Sequence, residues 1–160
     1  MHNLVPARGF TLIEILVVLV IVGVVLATVV VKVLPDDRQA LQQETSRLAL
    51  LLEHARDEAF VSGRSIAWSA EDGAYAFWRR DQERKWQPLT GNEVLRERHF
   101  PSSVILTGLT INRVEVATSE RLIFSPSGLN APFEAVLVLH DQRLVLAGDN
   151  TGRVKVRDDK

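Results

Sequence analysis

One stretch constrains this chain more than any other. Residues 10–31 are apolar almost throughout, with Glu14 as the single ionisable side chain among them. About 22 residues of helix at roughly 1.5 Å each span about 33 Å, enough to cross a bilayer core. From Val17 to Val31 there is no polar face, so a helix lying on the surface of a soluble core is a poor fit. Lys32 ends the run, and Pro35, Asp36 and Asp37 follow. Arg8 precedes it, so the excess of positive charge before the span places the N-terminus in the cytoplasm and exports the remainder. A secretory signal peptide would need a shorter core and small residues at its far end. Leu26-Ala27-Thr28-Val29 does not supply them.

Glu14 separates a plain anchor from something more specific. A carboxylate in lipid costs a few kcal/mol near the bilayer centre and less toward the interface, so an intramembrane acid implies a partner. Cleavage between Gly9 and Phe10 would create one, a new α-amino group at Phe10. Within one helix that amine and Glu14 are four residues apart. Between two helices the same pair would set axial register.

Arg8-Gly9-Phe10-Thr11-Leu12-Ile13-Glu14 resembles the type IV prepilin motif. The resemblance implies that a prepilin peptidase cuts after Gly9 and methylates the new N-terminal Phe10. It also implies that Glu14, the fifth mature residue, pairs with the amine of an adjacent subunit during assembly.

Beyond the apolar run, Pro35 predicts a kink or break at Leu34. From about Arg38 the pattern is helical again. Leu41, Leu48, Leu52, Ala55 and Ala59 fall on one face, with Gln42, Gln43, Glu44, Arg47, Glu53 and Asp57 on the other, and Gly63 is the expected C-terminal cap. After Gly63 the periodicity becomes that of strands. These are 66–68 and 75–78 around an Asp72-Gly73 turn, then Trp86 beyond a charged turn at 81–84, then 94–100, 104–109 and 122–124. A hairpin of 135–139 and 144–147 turns around Asp141-Gln142, and 153–157 is a last, strictly alternating strand. One long helix followed only by strands is an α+β arrangement, a helix with a transmembrane half and an amphipathic half, the latter packed on an antiparallel sheet or sandwich. The organisation expected is a leader at 1–9, a membrane and assembly helix at 10–31, its amphipathic continuation at 32–63, and a β-rich exported domain at 64–160.

No catalytic constellation stands out, and the chain is not expected to be an enzyme. It has no cysteine, which removes thiolate catalysis, disulfides and Cys-based zinc sites. His2, His54, His99 and His140 are scattered without metal-ligand spacing, and no metal or cofactor is expected. The Asp149-Asn150-Thr151-Gly152 segment has too few spaced oxygens for a calcium loop and is expected to be a hairpin turn. Trp68, Trp78 and Trp86 sit in strand-like segments, where packing is the expected role. Arg153, Lys155 and Arg157 alternate, so all three point from one sheet face, a possible anion-binding stripe. Asp158 and Asp159 follow at once, and the net charge of −1 gives no general attraction for nucleic acid.

The second half carries a narrower resemblance. Phe124-Ser125-Pro126-Ser127-Gly128, the strand from Phe133 to Leu139 and the closing Gly152-Arg153-Val154 resemble the GspH family of minor pseudopilins of the type II secretion system. That resemblance implies a structural subunit near the tip of the pseudopilus, held in the inner membrane with its domain in the periplasm. The partners it implies are major and minor pseudopilins, the prepilin peptidase and the exported proteins. The alternative is a minor type IV pilin of the FimT kind, which would bind DNA or help initiate a pilus. Pro126 and Gly128 satisfy turn geometry under either reading.

Overall fold

The computed structural model describes residues 11–33, 37–101 and 103–159, with the side chains of the first helix described as far as Val25. Gly9, Phe10 and Pro35 lie outside the described residues, and so does the expected break at Leu34. The chain divides into two units, residues 1–36 and 37–160.

In the first unit, α1 runs over Leu12–Val33. The Thr11 carbonyl accepts the amides of Glu14 and Ile15 at 3.0 and 3.3 Å and so opens the helix. Every residue from Thr11 to Val25 is exposed.

The second unit begins with α2, Asp37–Ser62, a stretch with no proline or glycine to interrupt it. Asp37 in its first turn suits the positive end of the helix dipole. Gly63, at φ 65°, takes the left-handed conformation that ends it. The expected apolar face is the buried one: Leu41, Leu48, Leu52, Ala55 and Ala59 are all 0% exposed. Burying each leucine contributes about 1.5–3 kcal/mol relative to leaving it in water.

Two antiparallel sheets receive this face. The first contains β1 (Ile66–Glu71), β2 (Ala74–Arg80), β3 (Trp86–Pro88), β4 (Arg98–His99) and β7 (Leu122–Phe124). Its order is β3-β2-β1-β7, with β4 also pairing with β2. The second contains β5 (Val104–Ile111), β6 (Val114–Val116), β8 (Phe133–Leu139), β9 (Gln142–Gly148) and β10 (Val154–Asp158), in the order β10-β9-β8-β5-β6. Trp68, Tyr75, Phe77 and Phe124 from the first sheet join Leu109, Leu137 and Leu146 from the second in one core with α2. A Cβ on Gly148 would lie 2.0 Å from the Phe133 ring, so only glycine lets that ring pack across β9.

The structure corrects four expectations. Glu44 is buried rather than on the solvent side of α2, where Arg47 Nη1 donates to its Oε2 at 3.0 Å. The strand expected over 94–100 shrinks to Arg98–His99. The Asn92 side chain accepts the amides of Val94 and Leu95, each at 2.9 Å, and this turn drops Leu95 into the core. The β8–β9 hairpin turns at His140-Asp141, one residue earlier than expected, with Gln142 already paired to Leu139. His140 takes φ 53° to allow it. Strand β6 has no counterpart among the expected strands. Asn112 and Arg113, at φ 53° and 64°, make a tight two-residue turn that folds Val114–Val116 back on β5.

Candidate assembly site

The site that the apolar run defines is a helix surface rather than a cleft. Leu12 is 84% exposed, Leu16 54% and Val18 50%, and every other residue from Thr11 to Val25 is exposed too, so the exposed surface runs around the whole circumference of α1. A helix apolar on every side has no favourable resting place in water and must be covered by lipid or by other helices. Glu14 stands in its first turn, exposed. Its carboxylate lies near the end of α1 where the helix's own amides are directed outward. The described side chains stop at Val25, and no described helix is by itself long and apolar enough to cross a membrane. The apolar sequence continues through Val31.

The C-terminal strand has a mixed electrostatic setting. Lys155 and Arg157 are exposed on β10, while Arg153 precedes the strand in the β9–β10 turn. Arg157 is ion-paired with Glu134 of β8. Asp158 pairs with Arg38 at 3.0 Å and Asp159 with Arg143 at 3.1 Å. Acids therefore stand within and beside the basic row. The turn itself is built around Asp149, whose Oδ1 accepts from the Thr151 amide at 2.8 Å, the Thr151 hydroxyl at 2.6 Å and the Arg153 amide at 3.1 Å. The Thr151 hydroxyl bond leads in holding this carboxyl below its ordinary value. Gly152, at φ 75°, completes the turn. The Phe124-to-Gly128 segment is likewise a turn: Gly128, at φ 79°, donates its amide to the Ser125 carbonyl at 3.2 Å.

Two groupings were not legible in the sequence. Tyr75 is buried near Glu44, Arg47 and Arg98, and burial leads in raising its phenol above the usual value. Of the tryptophans, Trp68 is core, but Trp78 and Trp86 are only half-buried. The Arg121 guanidinium lies 4.7 Å from the centre of the Trp78 ring and 5.9 Å from that of Trp86. Arg121 is far from both rings along the chain, and only the pairing of β7 with β1 brings them together.

An all-apolar helix opening on an acid, joined to a unit in which a second helix packs on antiparallel sheets, defines a pilin-like subunit. A prokaryotic N-terminal methylation motif matches residues 6–30, and the family described as Type II transport protein GspH matches residues 44–157. The chain belongs to the GspH family. It is similar to the type II secretion system protein H of Aeromonas hydrophila, 26% identical over 95% of this chain and 94% of the relative. The fold is that of the minor pseudopilin EpsH from Vibrio cholerae, at a TM-score of 0.65 and 12% identity over 78% of this chain and 98% of that one. The type IV minor pilin FimU of Pseudomonas aeruginosa shares it at a TM-score of 0.55 and 18% identity, over 75% of this chain and 90% of that one.

Proposed function

We propose that the chain is a minor pseudopilin of the type II secretion system, a structural subunit of the pseudopilus that acts near its tip in the export of folded proteins. The carrying observation is α1, exposed on all sides with Glu14 in its first turn, in a chain of the GspH family. The precursor inserts in the inner membrane with its N-terminus in the cytoplasm and its β-rich unit in the periplasm. Prepilin peptidase cuts after Gly9 and methylates Phe10. Residues 10–31 then pack among the helices of neighbouring pseudopilins, and Glu14 meets the new amine of an adjacent subunit. Each charge neutralises the other away from water, so a correctly placed neighbour gains a pairing that a misplaced one lacks.

The test is the intact mass of the protein extracted from cells that contain the peptidase and the other pseudopilins. A chain beginning at N-methylated Phe10 is expected, and a species retaining Met1 would overturn the reading. Glu14→Leu should still be cut. Its cross-linking to neighbouring pseudopilins should fall about tenfold or more, the scale of a lost pairing worth a couple of kcal/mol. Undiminished cross-linking would remove the pairing step.

A further inference from the structure

The outer face of the first sheet carries a ladder of alternating rings and guanidinium groups. The Arg121 guanidinium lies over Trp78 on β2 at 4.7 Å and over Trp86 on β3 at 5.9 Å, and that of Arg80 lies over Trp86 at 5.7 Å. The ladder crosses β1 where its side chains are small: Ala67 pairs with Trp78, and the Ser69 hydroxyl accepts the Trp78 indole N–H at 3.0 Å. At the end of β2, Arg64, Arg79 and Arg80 line a hollow of about 200 Å³ together with Asp81, Gln87 and Pro88.

A guanidinium held over an aromatic ring by cation–π attraction can still give its N–H donors to an anion. Arg64, Arg79, Arg80 and Arg121 form no ion pair among the described residues. Arg121 Nε is buried without a hydrogen-bond partner. Arg80 gives one bond, from Nε to the Arg84 carbonyl at 3.3 Å. The nearby acids are already engaged: Asp81 accepts from the Lys85 amide and the Gln87 side chain, and Glu83 pairs with Lys85. Planar forks held in place by rings, with donors unspent, are suited to carboxylates or phosphates.

The rest of the face distinguishes between these. From the ladder, a groove of about 420 Å³ runs over Ala74 and Ala76 toward Glu71, Asp72 and Glu97. The face is thus basic at one end of β2 and acidic at the other, about 20 Å away at strand spacing. A uniformly anionic polymer following the groove would meet those acids. An extended protein segment with its carboxylates at one end would not.

We infer that the Trp78–Arg121–Trp86–Arg80 ladder is a docking site for an acidic segment of a partner protein, gripped by guanidinium–carboxylate pairs. The ladder is built wholly from residues of the second unit and does not depend on cleavage at Gly9. The test uses the full chain in uncharged detergent micelles, with fluorescence anisotropy of a labelled peptide carrying three glutamates at one end and three serines at the other, at low ionic strength. Binding that weakens as salt rises is expected. Arg80→Gln should weaken it about fivefold, and Arg121→Lys, which keeps the charge but loses the fork, about tenfold. Lys155→Gln, on the other sheet, should leave it unchanged. No binding at low salt, or binding indifferent to both arginine changes, overturns the proposal. A short single-stranded oligonucleotide bound more tightly through the same arginines would overturn the choice of a protein partner. Unchanged circular dichroism of Arg80→Gln, at an exposed position, separates lost binding from lost folding.

Discussion

Helices α1 and α2 have similar lengths, 22 and 26 residues, and opposite patterns of apolar exposure. Helix α2 buries one apolar stripe, Leu41 to Ala59, against two sheets of the same unit, although Leu50, Phe60 and Val61 on the same helix are exposed. Helix α1 is apolar all round, and its described side chains are exposed. The first pattern specifies folding and the second specifies association, because apolar surface that the chain does not cover must be covered by something else. Charge follows the same division. One carboxylate of α2, Glu53, is spent inside the unit, while Glu14 of α1 is exposed in the first turn.

The largest expected effect follows from that contrast. Leu48→Ala in α2 leaves a cavity in the core and should cost about 2–5 kcal/mol, a large part of the roughly 5–15 kcal/mol that holds a domain folded. Leu16→Ala in α1 should change the stability of the same unit by less than about 0.5 kcal/mol. Thermal unfolding followed by circular dichroism in micelles measures both. If the two substitutions lower the midpoint equally, α1 and α2 are not distinct in the way their exposure implies.

A middle-sized effect tests how α2 organises the last strand. Glu53 Oε1 accepts the amide of Val154, the first residue of β10, at 2.9 Å. β10 is an edge strand, with β9 its only ladder partner among the described residues. Glu53→Ala leaves a half-buried amide without that acceptor and should cost about 1–3 kcal/mol. Hydrogen exchange should speed up at Val154 first. Glu53→Gln keeps an acceptor oxygen and should restore most of the protection. Equal exchange in both variants would show that this bond does not pin the strand.

The α2 stripe was legible because helical periodicity repeats over several turns and the apolar positions that define it, Leu41 to Ala59, are all buried. Glu44 lies within that stripe, and a residue-type rule places acids outside. The turns were legible where a glycine announced them, as at Asp72-Gly73 and Gly152, and misplaced where His140 or Asn112-Arg113 took positive φ without one. Between residues 94 and 100 strand propensity lost to one Asn92 side chain binding two amides. The prepilin motif is contiguous, so one reading of its residues suffices to find it. The tryptophan–arginine ladder is not contiguous: Arg121 reaches Trp78 only through strand pairing, which no local pattern encodes.

The smallest effect concerns the turn beyond the edge strand, and there the sign is the test. Asp149 is ionised and hydrogen-bonded in the folded state, with its pKa lowered below the ordinary 3.8, first by the Thr151 hydroxyl. A carboxyl whose folded pKa is depressed contributes stability that is full above the unfolded value and lost as pH falls through the folded one. Asp149→Asn should therefore lower the unfolding midpoint slightly at neutral pH, less than Glu53→Ala does. The gap should hold down to about pH 5 and close below about pH 4 as the wild-type carboxylate takes up its proton. A gap that widens on acidification would mean that the charge at Asp149 works against the turn. In that case the bonds to Thr151 and Arg153 would owe their strength to geometry alone, and protonating the wild-type carboxyl would strengthen the β9–β10 hairpin.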